Sequence, residues 1–340
     1  STKLAALTAE YRKLEAELAE PRRAPGFLEA EGFDMPLFVR GEYKQPAAII
    51  PRRYLEVFDT KAFVTQGSGR LELAEKIAAA DNPLTARVMT NRLWHHVFGR
   101  GLVGTVDNLG RLGDQPTHPE LLDHLSRRFI QEKWSVKTLL RDMLLTEAFQ
   151  RSSVPTASTA AKDAGNDLLA HMRVRRLGGE ALRDSFIALS GRLEHRMYGP
   201  GDNAMGPPHQ QVRRSVYLNI RRNSLNSLIT TFDGPKPFTT VGRRDATNVP
   251  AQSLTLLNSP FVIDTAKQWA RTLNLKKQSD ADKVDTLFTQ ALARKATPAE
   301  QSAAARYLAD LKAAHTENPA MVWADFAQSV LNLKEFLYLK

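Results

Sequence analysis

A chain of 340 residues, 42% hydrophobic and 25% charged, is long enough for one large domain or two ordinary ones and has a globular rather than a disordered composition. With no cysteine it can hold no disulfide, thiolate metal site, iron–sulfur cluster or thioether-linked haem of its own. Its 47 lysines and arginines against 37 acids give a net charge of +10, which favours an anionic partner but is also compatible with solubility alone. No apolar run reaches the length of a membrane span, so no transmembrane segment is expected. The chain begins Ser-Thr-Lys without a methionine or an apolar leader, which reads as a fragment or processed piece with any targeting signal upstream.

Residues 1–19 place Leu4, Leu7, Tyr11, Leu14 and Leu18 at alternating spacings of three and four. That is the seam of a coiled-coil helix, too short to stand alone and ended by Pro21. Residues 20–70 are rich in proline and glycine and read as an extended connector with one short strand at FVRGEY. Helices dominate from residue 71. LELAEKIAAA leads into Asp81-Asn82-Pro83, a cap and first-turn proline for TARVMTNRLWHHVF, which Gly99 and Gly101 terminate.

Thr117-His118-Pro119-Glu120 has the form of a capping box for PELLDHLSRRFIQEK, and Ser135 caps VKTLLRDMLLTEAF. The Ser/Thr/Ala-rich stretch 152–166 reads as a linker and a possible sub-boundary. A helix at EALRDSFIALS ends at Gly191, and a Gly/Pro/Asn loop covers 198–212. RRSVYLNIRR alternates Val216, Leu218 and Ile220 with Tyr217 and Asn219 and is the best strand candidate, with Asn223 capping the helix after it. Pro250, Pro260, Ser279, the Thr297–Glu300 capping box and Pro319 open the remaining helices. The expected fold is mainly α, a helical domain over 71–340 with a few short β-strands and long loops.

GRGLVG at 99–104 fits a dinucleotide-binding pattern in letters only, because a helix precedes it and a loop follows. His95 and His96 are adjacent on a helix, about 100° apart, and cannot jointly chelate one ion. Glu120 and His124 share a helix face, but as an ion pair they need no metal, and no metal site is expected. His118 lies beside a glycine-rich loop holding Asp107, Asn108 and Asp114. His118, Asp107 and Asp114, with Tyr217 further on, are candidate catalytic residues against a purely structural hydrogen-bonding role.

The arginine pairs Arg213-Arg214, Arg221-Arg222 and Arg243-Arg244 are the most prominent polar feature. Guanidinium forks bind carboxylate, sulfate or phosphate oxygens in pairs, although adjacent residues on a strand point to opposite faces. The competing reading is a set of Arg–Asp pairs, such as Arg244 with Asp245 or Asp233, that stitch loops to the core. Nucleic acid is not the expected partner, since no recognition signature is present and the basic residues are not interleaved with aromatics.

NPLTARVMTNRLWHHVFGRGLVGTVDNLGRLGDQPTHPELLDHL resembles the first signature of the planctomycete-specific C-terminal domain family, domain of unknown function 1553. RRSVYLNIRRN, then FDGPKPFTTVGRRDATNVPAQSLTLLNSPFV, then LNLKEFLYLK are similar to its later signatures in the same order, so the resemblance covers about residues 70–340. It implies a large exported protein of Planctomycetes or Verrucomicrobia. Residues 1–70 would be the connector from an upstream companion domain, often itself preceded by a cytochrome c domain.

The implied location is extracytoplasmic, and any haem c would sit in an upstream domain. The resemblance supplies an association with electron transfer or glycan breakdown, but no reaction. On this reading Arg243, Arg244 and Gln252 surround a cleft shared with Arg213 and Arg222, next to the helix starting at Pro250. The expected role is binding an anionic or polyhydroxylated glycan there. The alternatives are a sugar oxidoreductase coupled to an attached cytochrome, a glycan hydrolase, or a structural scaffold.

Overall fold

Fourteen helices and three two-stranded sheets occur among the described residues, which are 2–17, 26–274 and 278–339 of this computed structural model. The protein is mainly α-helical. Its contacts form two compact units, residues 1–87 and 88–340.

In the first unit, α1 (Thr2–Glu17) carries Leu4, Leu7, Tyr11 and Leu14, each more than half exposed. Leu18 and the expected helix end at Pro21 lie outside the described residues. The strand expected at FVRGEY lies earlier. β1 (Met35–Phe38) pairs antiparallel with β2 (Pro46–Ile50), Met35 opposite Ile50. Val39–Gly41 turn as a short 3-10 segment, in which Arg40 and Gly41 adopt left-handed backbone that extended chain cannot continue. After α2 (Arg70–Ala78), buried Asn82 donates to Tyr54 Oη, Lys76 O and Ile77 O and accepts from Leu84 N at 3.0 Å. One side chain thus ties the end of α2 to the approach of α3 (Thr85–Phe98).

The second unit contains two principal apolar cores. The first is built by the latter part of α3, α4 (Pro119–Gln131) and α5 (Val136–Leu144) around Trp94, Phe98, Phe129, Leu139 and Met143. Trp94 stacks on Phe98 with ring centroids 4.0 Å apart. Gly99, at φ 83°, ends α3 as expected, and fully buried Asn91 exchanges hydrogen bonds with Val103 N and O at 2.9 and 3.0 Å. Those bonds hold the 99–104 loop back along the helix that precedes it.

The capping box expected at residues 117–120 does not form. Thr117 Oγ1 donates to Leu102 O and contacts His118 Nδ1, leaving His118 as an N-cap whose side chain makes no capping bond to the helix. Ser135 does cap α5. The stretch expected as a linker contains α6 (Ala157–Lys162), opened by a reciprocal cap between Thr156 and Thr159.

Chain order continues with β3 (Arg175–Arg176), α7 (Gly179–Leu189), β4 (Asp202–Asn203), β5 (Leu218–Asn219) and α8 (Ser227–Thr231). It closes with α9 (Pro250–Asn258), α10 (Pro260–Asn274), α11 (Asp280–Leu292), α12 (Pro298–Ala314), α13 (Ala320–Leu331), α14 (Lys334–Leu337) and β6 (Tyr338–Leu339). β3 pairs antiparallel with β6, and β4 parallel with β5. The second core lies among α7 to α14, with α10 against α13 as its most extensive helix pair. Leu182, Phe186, Val262 and Leu287 are fully buried there, each contributing about 1.5–3 kcal/mol relative to exposure. The indole of Trp269 finds its acceptor in Gln290 Oε1 at 2.6 Å.

RRSVYLNIRR is not the long strand its alternation predicts. Ser215–Tyr217 form a 3-10 turn and only Leu218–Asn219 are extended and paired. Of the apolar set, Leu218 is buried while Val216 is 74% and Ile220 53% exposed. The reason is polar. Asp184 on α7 accepts from Ser215 N and Oγ, both at 2.7 Å, and fully buried Arg183 donates to Arg213 O and Ser215 Oγ. Satisfying a buried guanidinium fixes the backbone here more strongly than alternation does. The cap expected at Asn223 is Asn226, whose Oδ1 accepts from Ile229 N.

Candidate functional site

The arginines singled out in the sequence separate into different environments. Arg213 is 1% exposed. It donates to Arg196 O, Tyr198 O, Pro200 O and Asp202 Oδ1, and its guanidinium lies 4.0 Å above the ring of Tyr217. It ties down the 196–202 loop and covers Tyr217. Gln252 is also interior, donating to Thr231 O and Thr247 Oγ1. Thr247 in turn bonds Asp233, the partner of Arg176. Thr247 before Pro250 and Gln252 just after it therefore dock this segment on the second core. Arg222 lies over Phe238 at 5.7 Å and, like Arg213, lines neither of the two clefts that take Arg243 and Arg244.

Arg243 and Arg244 point into separate clefts. The first cleft, of ≈ 410 Å³, is lined by Arg100, Thr105, Asp107, Asn108, Asp114 and Arg243. The loop's shape is fixed internally: Thr105 Oγ1 donates to Asn108 O at 2.7 Å and accepts from Asp114 N at 2.9 Å. Gly242 N donates to Asp107 Oδ2 at 2.8 Å, and a Cβ at Gly242 would come within 2.1 Å of Asp107 Oδ1. A side chain at 242 would push the Asp107 carboxylate out of this position, so glycine lets the backbone next to Arg243 lie against the loop. Asp107 also faces Arg92 at 3.4 Å, and Arg100 is paired with Asp167. The Arg243 guanidinium has no hydrogen-bond, ion-pair or ring partner among the described residues.

Asp107, Asn108 and Asp114 are thus brought together with Arg243. His118, at the start of α4, is not among the residues lining this cleft.

The second cleft, of ≈ 630 Å³, has an apolar floor that includes Leu218, Ile220, Leu225, Ile229, Pro235 and Pro237. Two ion pairs border it. Arg244 Nη1 meets Glu180 Oε2 at 2.7 Å, and Arg214 Nε lies 3.7 Å from Asp184 Oδ2. Glu180 and Asp184 stand one turn apart on α7, so a single helix face presents both carboxylates.

His95 and His96 on α3 lie near the arginines of both clefts, their rings 5.4 Å apart. Burial holds the His95 pKa below the ordinary imidazole value, reinforced by His96, Arg243 and Arg175. Burial likewise lowers that of His96, with Arg244, Arg175 and Arg92 adding to the effect. Arg175 donates to His96 O, while His95 Nδ1, Arg92 Nε and Arg175 Nε are buried without partners. Burial, reinforced by the neighbouring cations, therefore disfavours the charged forms of both histidines.

A family model described as PSD1, protein of unknown function (DUF1553), matches residues 69–308. The chain belongs to the PSD1 family. No curated protein and no solved structure matches it. Both clefts fall inside the PSD1 match, as do His95 and His96. Among the described residues no group of three or more histidines and carboxylates could hold a metal ion, and no helix is long and apolar enough to cross a membrane.

Sequence reasoning missed Arg92, Arg100, Arg175, Glu180 and Asp184 as cleft neighbours. Glu180 and Asp184 had a local signal in their i, i+4 spacing. Arg175 had none, because its position follows from tertiary docking against α3.

Proposed function

We propose that these clefts bind an acidic, hydroxyl-rich glycan, and that the chain serves as an extracytoplasmic module of a multidomain, redox-associated protein. The observation that carries the reading is Arg243, a guanidinium without a partner, set beside the acceptors Asp107, Asn108 and Asp114 in an open cleft. Carboxylates and amides accept from sugar hydroxyls, while a guanidinium fork donates in pairs to a uronate or sulfate. One cleft thereby offers both halves of what an acidic sugar requires. The net charge of +10 attracts such a ligand at long range. The extracytoplasmic location and the companion and cytochrome c partners rest on the resemblance of the chain's signatures to exported multidomain proteins.

A thermal-shift titration with oligogalacturonate at constant ionic strength tests the binding. A ligand that binds only the folded state raises the melting temperature saturably, and Arg243→Gln removes most of that rise. A response that never saturates, or one that survives Arg243→Gln, overturns the reading.

A further inference from the structure

The two clefts differ in chemistry in a way that a single small anion does not use. The first is lined mainly by polar and charged side chains and holds the unpartnered Arg243. The second is larger and apolar-floored, and both of its arginines already face carboxylates, Arg244 with Glu180 and Arg214 with Asp184. It therefore has little net charge to offer an anion, but it presents exposed aliphatic surface at Ile220 and Val216. Arg243 and Arg244 are consecutive, with Cα atoms about 3.8 Å apart, yet their side chains enter different clefts. The two sites thus flank one stretch of backbone, and on α3 the neighbouring His95 and His96 rings are 5.4 Å apart.

We propose that one oligosaccharide of mixed character occupies both clefts, with its acidic residue at Arg243 and the C–H face of a neutral sugar on the Ile220 floor. This rests on the glycan-binding reading and narrows it, from acidic glycans in general to chains in which acidic units are attached to or alternate with neutral ones. A uniformly charged polymer would lay an anion on the aliphatic floor of the second cleft, where both arginines already face carboxylates and the cost of desolvating the charge goes uncompensated. A neutral ring face loses nothing there and buries apolar area.

The experiment compares three probes by isothermal titration: a xylo-oligosaccharide bearing a single glucuronate, glucuronic acid alone, and the uncharged xylo-oligosaccharide of the same length. The substituted oligosaccharide is expected to bind at least about tenfold more tightly than glucuronic acid. Ile220→Asn should abolish that gain while leaving the affinity for glucuronic acid unchanged. Val216→Asn provides an independent check, and both sites are more than half exposed, so the fold tolerates the changes. Arg243→Gln should weaken both acidic probes.

Equal affinity for the two acidic probes, or a gain insensitive to both floor substitutions, overturns the two-cleft proposal. If binding still depends on Arg243 in that case, the glycan reading stands. Absence of Arg243-dependent binding by either acidic probe overturns that reading as well.

Discussion

Around Arg213 the guanidinium is walled in. Three carbonyls and a carboxylate accept its hydrogen bonds, and Tyr217 lies beneath it. Around Arg243 the backbone is irregular and exposed, and the side chain stands in a cleft without a partner. Both arginines belong to adjacent pairs in the sequence, so pairing alone does not assign their roles. The difference lies in what the fold delivers to each. The 196–202 loop folds over Arg213 with its carbonyls turned inward, whereas Gly242 brings Arg243 to a loop whose carboxylate is already engaged by a backbone N–H. An arginine is structural when the acceptors around it are built in, and available when they are not.

Substitution at the two sites should separate them widely. Arg213→Met leaves Asp202 and three loop carbonyls without their donor and is expected to cost about 3–5 kcal/mol, read as a large fall in melting temperature. A loss below about 1 kcal/mol would mean that the loop is held by other contacts. Gly242→Ala attacks the same contrast from the other side. Its Cβ displaces the Asp107 carboxylate, so loss of the bond from Gly242 N, about 1 kcal/mol, should accompany weaker Arg243-dependent ligand binding.

A third built-in arginine offers a control away from the clefts. Arg294 grips Glu300 at the start of α12 and Glu335 on α14 through two forked pairs. Arg294→Met should cost about 1 kcal/mol, since the group is partly solvated. The same pair predicts an acid limb. Hydrogen bonds from Arg294 hold Glu300 down at about 2, so its contribution is present above the unfolded value of 4.5 and is lost as pH falls toward 2. That limb should flatten in Arg294→Met when unfolding is followed across pH.

The histidines give a gentler slope at higher pH. Their folded pKa values lie below 6.5, so the unfolded chain binds more protons once pH falls under that value and stability declines with acidification. Bound anion favours the imidazolium forms and should reduce the decline, whereas His95→Gln with His96→Gln should remove it. The smallest effect is expected for Arg243→Gln without ligand, within about 0.5 kcal/mol. A larger loss would place Arg243 among the structural arginines and erase the contrast.

Local chemistry by itself determined much of this chain. Pro250, Pro260, Ser279 and the Thr297–Glu300 box start helices where they stand, because a missing N–H or a capping hydroxyl acts within one turn. The mainly helical class and the turn at Gly99 follow from the same short-range rules. Tertiary structure decided what depends on partners distant in sequence. Thr117 turned to Leu102 and the capping box was lost, and Arg183 and Asp184 captured residues 213–215 and the alternating strand was lost. Gly242 met Asp107 across the unit, and in doing so placed Arg243 and Arg244 in two different clefts. Hydrophobic period and capping are properties of a segment. Which buried donor finds which acceptor is a property of the packed fold, and in this protein it also decides which arginines remain free to meet a ligand.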